Sequence, residues 1–133
     1  MNKRTYVVLL NWRGWRDTIA CLESLFASDD RGSFRVVVCD NDSGDGSQER
    51  IIDWACGQIL PEKPAHPRLA RLLAGGSRRP RWQRIDRTAA EAGEVNEDAE
   101  LILVDNGGNL GFAAGNNVGL RLALACDDMD SVW

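Results

Sequence analysis

The chain has a single histidine, and its four cysteines never form a CxxC pair. Zinc sites need Cys and His clustered at short spacings, so a structural zinc is excluded. No GxGxxG follows the first apolar run, and GxxxxGK[ST] occurs nowhere. Nicotinamide-cofactor and ATPase readings therefore lose their main support. No apolar run approaches the roughly 20 residues of a membrane-spanning helix, and no signal-peptide pattern is found. Cys21, Cys39 and Cys126 sit in apolar runs, which predicts buried, reduced thiols and a cytoplasmic protein.

What is present is an ordinary globular composition, 44% hydrophobic and 27% charged over 133 residues, enough for one domain. The net charge of −4 argues against a general nucleic-acid binder. The charge is unevenly spread. Residues 61–87 hold eight of the 16 basic residues and two of the 20 acidic ones, leaving 8 basic against 18 acidic elsewhere. Such a basic run is either a solvated face or a site for an acidic partner, including a membrane surface.

Residues 6–10 (YVVLL) lack polar alternation and suit a strand buried on both faces. Trp15, Ile19, Leu22, Leu25 and Phe26 then follow helical spacing, and residues 28–32 end that helix. Residues 34–39 (FRVVVC) form a second strand. Ser47 caps a second helix with Ile51, Ile52, Ala55 and Ile59 on its apolar face. Residues 57–98 hold all four prolines and are expected to leave the sheet, with a short helix at 68–74 and an edge strand at 82–86. Residues 100–104 are the third strand. Helical spacing resumes near Gly115 or Asn116, in a helix with Val118, Leu120, Leu122 and Leu124 that is apolar on most sides and so well buried. Residues 127–130 stop it, and 131–133 begin another strand. The order predicts an α/β fold, three layers with a mostly parallel sheet.

Two loops rich in Gly, Asn and Asp follow strands: DNDSGDGS at 40–47 and DNGGNLG at 105–111. Both must lie at the carboxyl edge of the sheet, where open α/β folds bind ligands. Asp40 directly follows a buried strand, so a sheet-anchored carboxylate can accept hydrogen bonds from a base or ribose there. Asp42 and Asp45 are read as turn formers. A calcium loop would need a longer ligand series ending in glutamate. A receiver-type domain would need an acidic pair where this chain has Asn11-Trp12.

These stretches carry a resemblance. VVLLNWRGWRDTIACLESL, VVVCDNDSGDGS and LILVDNGGNLGFAAGNNVGLRLAL occur in the order seen in inverting glycosyltransferases of family 2, in the rhamnosyltransferase-like branch. The third is similar to that branch's NxGFAxGNNxG. The resemblance covers nearly all of residues 1–133 outside 57–98. It implies the nucleotide-sugar-binding half of a GT-A fold. Leu10 and Asn11 would line the nucleoside pocket, and Asp40 would contact base or ribose. Asn109, Gly111 and Phe112 would form a wall supported by Asn117. Asn109 and Asn117 serve equally as turn or cap residues, Phe112 reads as a packing anchor, and Gly115 and Gly119 as points of close helix–sheet approach.

The activity implied is transfer of a sugar, such as rhamnose, from a nucleoside-diphosphate sugar to a saccharide or lipid-linked acceptor, as in cell-surface polysaccharide assembly at the inner face of the membrane. The branch holds Mg²⁺ or Mn²⁺ on a D-x-D-like motif after the next strand, and a later acid serves as base. Neither occurs before Trp133, so this stretch is expected to recognise the donor without turning it over, and no catalytic or metal-ligating residue is assigned. Asp127, Asp128 and Asp130 do not substitute. The alternative is a non-catalytic nucleotide-binding or assembly module of the same fold. Self-association is expected through an unpaired sheet edge and an uncovered helix face at Leu120, Leu122 and Leu124.

Overall fold

The computed structural model describes residues 2–28 and 32–133. Its elements are β1 (Arg4–Asn11), α1 (Trp15–Phe26), β2 (Phe34–Asp40), α2 (Ser47–Ala55), α3 (Pro67–Leu72), β3 (Trp82–Asp86), α4 (Arg87–Glu91), β4 (Leu101–Asp105), α5 (Phe112–Ala125) and β5 (Met129–Val132). All five strands are parallel, in the order β3-β4-β2-β1-β5.

The sheet is buried on both faces, which is why its central strands are continuous apolar runs. Val7, Val36, Val38, Leu101 and Leu103 meet Ile19, Leu22 and Phe26 of α1 and Ile51 and Trp54 of α2. The alternate residues Tyr6, Val37, Cys39, Ile102 and Val104 meet Ala90 of α4 and Val118, Leu122 and Ala123 of α5. Helices thus cover both faces, compatible with a three-layer αβα fold. Burial pushes the Cys39 thiol up to about 12. Among the described residues no helix is long and apolar enough to cross a membrane.

Strand order reverses at β1. The chain steps from β1 to β2, goes to the outer edge for β3, returns to β4, and then passes over α5 to β5 on the far side of β1. In parallel sheets such a reversal opens a crevice at the strands' carboxyl ends.

Several expectations change. The edge strand expected at 82–86 is present as β3, paired with β4 in full register, Trp82 with Leu101 through Asp86 with Asp105, so the 57–98 stretch leaves the sheet only on either side of it. Its arginines are not simply a solvated face. Arg79 bonds Glu23 at 3.0 Å and Arg78 bonds Glu100 at 2.6 Å, and both glutamates are buried. Arg78 and Arg79 also stack on Phe26 and Trp54. Trp54, left out of the expected α2 face, is the largest fully buried side chain. Gly46, not Ser47, caps α2, because the Asp45 carboxylate already accepts the Ser47 N–H and hydroxyl. The predicted stop of α1 at 28–32 lies partly on residues 29–31, outside the described residues. Cys21 is exposed rather than buried.

α5 starts at Phe112, a turn earlier than its apolar spacing suggests. It is not apolar all round: Leu124 is 72% exposed while Leu122 is fully buried. The face against the sheet is set by Gly115 and Gly119. A Cβ at Gly119 would lie 2.6 Å from Val8 Cγ1, so only glycine permits this approach. Close approach through glycines turns the leucines at 120 and 124 outward.

Candidate functional site

Four strands end in register at the carboxyl edge, with Asn11 opposite Asp40, Asp40 opposite Asp105 and Asp105 opposite Asp86. Two polar networks are built there, one on each face of the sheet.

The first lies under the amino-terminal ends of α1 and α2. Asp40 is 1% exposed. Its Oδ1 accepts from Asn11 Nδ2 at 2.8 Å and from Ser43 Oγ at 2.7 Å. Its Oδ2 accepts from the Ser43 N–H at 3.2 Å and Gln48 Nε2 at 3.0 Å. Asn11 is equally committed, since its Oδ1 accepts from Thr18 Oγ1 at 2.7 Å. Buried carboxylates are tolerated when donors surround them in this way. Ser43 also holds the next loop: its Oγ accepts the Arg13 N–H and its carbonyl accepts Arg13 Nε. Arg13 has a φ of 52° and lies over the Trp12 ring at 5.0 Å, leaving Trp12 half exposed.

The second network lies under the first turn of α5. Asn106 is fully buried and donates Nδ2 to Asn41 Oδ1 at 2.8 Å. Asn41 donates on to the Gly111 carbonyl at 3.0 Å. Gly115 leaves room for this pair, because a Cβ there would stand 2.7 Å from the Asn41 amide and from Leu10 Cδ1. Asn109 Oδ1 accepts the Gly111 N–H. Gly111, with φ 83° and ψ 177°, opens α5 without a side-chain cap. The first N–H groups of this 14-residue helix therefore face an exposed loop, a setting suited to a polar or anionic group.

Leu10, Asn11, Asp40, Asn109 and Gly111 are thus brought to one edge, Asn11 and Asp40 as buried supports and Asn109 as a turn former. Asn117 is exposed on the helix beyond them. Phe112 is not a packing anchor: it is 80% exposed at the first turn of α5. Sequence reasoning missed Asn41, Ser43, Gln48 and Asn106. A signal for two of them existed, since β2 and β4 both end in Asp-Asn, at Asp40-Asn41 and Asp105-Asn106.

The opposite, amino-terminal edge carries a cavity of about 430 Å³ bordered by Arg4, Arg35 and Asp128. Its charges are engaged with one another. Arg4 Nε and Tyr6 Oη both donate to Asp128 at 2.6 Å, and Arg35 donates to Tyr6 Oη and to the carbonyls of Asn96, Glu97 and Ala99. Burial and the bond to Asp128 push the Tyr6 phenol far above its usual range. Burial would raise the Asp128 carboxyl, but the Tyr6 and Arg4 bonds outweigh it and lower it. This network fastens β5 to β1 and to the 93–99 loop.

No protein-family model matches the chain, and no match to it is found among curated proteins or solved structures. Fold and site define an α/β protein with a five-stranded parallel sheet, whose carboxyl edge presents a cross-linked set of Asn, Asp and Gly loops.

Proposed function

We propose that this chain is the donor-recognition part of a family 2 glycosyltransferase of the rhamnosyltransferase-like kind, built on a GT-A architecture. The observation that supports this reading is convergence. The three stretches that resemble that branch meet at one sheet edge, at the strand-order reversal, and hydrogen bonds join them into one unit through Asn11–Asp40 and Asn106–Asn41–Gly111. Under this reading Asp40 acts by holding Asn11 and the Ser43 loop rather than by touching the nucleotide. Exposed Trp12 and Phe112 offer faces for the base or sugar, and the uncapped start of α5 suits the diphosphate. The activity is transfer of a sugar from a nucleoside diphosphate to a saccharide or lipid-linked acceptor.

The Mg²⁺ or Mn²⁺ implied by the resemblance does not fit the donors present. Both Asp40 oxygens are taken by protein donors, as is Asp45 Oδ1. Among the described residues no three His, Cys, Asp or Glu side chains converge on a metal position. The second reading is a nucleotide-binding module of the same fold without turnover.

Isothermal titration with UDP, dTDP and GDP, each with and without Mn²⁺, tests the proposal. Binding of one nucleotide is the expected result, and no binding of any would reject both readings. Incubation with the matching radiolabelled donor then separates them. With a chain extended past Trp133, sugar release or transfer supports the enzyme, and binding without turnover supports the module.

A further inference from the structure

Seven of the eight basic residues of 61–87 fall into two groups, with Arg87, exposed at the start of α4, outside both. Arg78, Arg79, Arg81 and Arg84 pair with Glu100, Glu23, Glu100 and Glu49 at 2.6–3.9 Å. They hold the segment to the rest of the chain. Lys63, Arg68 and Arg71 differ: all are exposed, and among the described residues none has an acidic partner within ion-pair distance.

The same stretch exposes its leucines. Leu60 is 84% exposed, Leu69 52% and Leu72 77%. α3 buries no residue. The stretch stands off α1 across a groove of about 570 Å³, with Leu60, Lys63 and Leu69 on one side and Trp15, Arg16 and Ile19 on the other. Apolar groups gathered in water among unpaired cations mark an interaction surface.

We propose that residues 60–73 form a docking surface for an anionic lipid bilayer. Leu60, Leu69 and Leu72 enter the boundary between headgroups and acyl chains, and Lys63, Arg68 and Arg71 meet the lipid phosphates. Charge complementarity selects this occupant. Outside 61–87 the chain carries 8 basic and 18 acidic residues, so an anionic surface repels the rest of the molecule and attracts this stretch. Leucines and cations side by side on a stretch with little buried need both hydrocarbon and phosphate, and a bilayer supplies the two at any lateral position. The inference does not depend on which ligand the carboxyl-edge loops take.

Co-sedimentation of the whole chain with phosphatidylglycerol-rich and with pure phosphatidylcholine vesicles tests it. Binding is expected on the anionic vesicles only. It should weaken with added salt, because the screening length contracts from about 10 Å at 0.1 M to about 3 Å at 1 M. Each basic side chain contributes about fivefold to partitioning, so the combined variant Lys63→Gln, Arg68→Gln, Arg71→Gln should lose on the order of 100-fold. Leu60→Ser, Leu69→Ser, Leu72→Ser should lose on the order of tenfold or more. Arg87→Gln should change nothing, since Arg87 begins α4 on the opposite face of the sheet. None of the six substituted side chains is buried, and circular dichroism checks that both variants fold. Equal binding to neutral vesicles, no binding, or full binding by either variant overturns the proposal. So does binding of polyglutamate without affinity for vesicles, which would assign the surface to an acidic polypeptide. A concentration-dependent dimer abolished by the leucine variant, with vesicles left unbound, would assign it to a second copy of this chain.

Discussion

Asn106 donates its side-chain amide to the side-chain carbonyl of Asn41 across 2.8 Å, in full burial. This single contact joins the loop after β4 to the loop after β2, and Asn41 extends it to the Gly111 carbonyl where α5 begins. Removing one partner of a buried hydrogen bond strands the other, at a cost of about 1–3 kcal/mol. Asn106→Ala is therefore expected to lower the unfolding free energy by about that amount in urea titrations. It should also weaken nucleotide binding, because the Gly111 turn loses its support.

Asp40→Asn tests whether that carboxylate is a support or a ligand contact. The amide keeps the shape but sets a donor among the Asn11, Ser43 and Gln48 donors. Hydrogen bonds to a charged group contribute about 1.5–3 kcal/mol each, so a stability loss of about 3 kcal/mol is expected by chemical denaturation. A stable Asp40→Asn protein with abolished nucleotide binding would instead assign Asp40 to direct contact.

Gly119→Ala should destabilise by about 1–3 kcal/mol, because the new methyl would overpack against Val8 Cγ1 at 2.6 Å and Cys39 Sγ at 3.0 Å. Gly108→Ala is the matched control. Gly108 has no atom within 4 Å of an added Cβ and no positive φ. Its substitution should be neutral or stabilising by up to about 1 kcal/mol. The denaturation midpoints of the two variants should move in different directions or by clearly different amounts.

Glu23 carries the pH dependence. Burial would raise its carboxyl, but bonds from Trp54 Nε1, the Ser77 N–H and Arg79, together with the Arg79 charge, lower it below the ordinary range. A carboxyl depressed in the folded state stabilises above its unfolded value of about 4.3, and that contribution is lost as pH falls through the folded value. Wild type should therefore exceed Glu23→Gln in stability by about 2 kcal/mol near neutrality. The gap should close below about pH 4, as read from unfolding free energies across the acid range.

Trp12 and Phe112 are exposed by 50% and 80%, so Trp12→Ala and Phe112→Ala should change stability by no more than about 0.5 kcal/mol. If these rings meet the donor, losing one should weaken nucleotide binding by about 1–3 kcal/mol, the range for base stacking on an aromatic side chain. Titration calorimetry on both variants checks this. Unchanged affinity in both would remove them from the site.

The sequence by itself determined the layered α/β plan. YVVLL, FRVVVC and the run at 101–104 are apolar without alternation because each strand is covered on both faces, and the intervening helices show their 3.6-residue spacing for the matching reason. It also placed the Gly, Asn and Asp loops on one edge, since every loop leaving the end of a parallel strand emerges there. It marked Gly115 and Gly119 as points of close approach. Tertiary structure alone decided the rest. Whether Asp40 faces a ligand or the protein depends on donors eight and 29 residues away, Gln48 and Asn11, and no local pattern records such pairings. The arginines of 78–84 look like those at 68 and 71 in sequence, yet only the former meet Glu23, Glu49 and Glu100, because β3 is drawn against β4 and brings them there. The leucines of α5 divide between core and solvent by the same logic. The glycine face takes the sheet, because backbone without a side chain can approach most closely, and Leu124 is left outside.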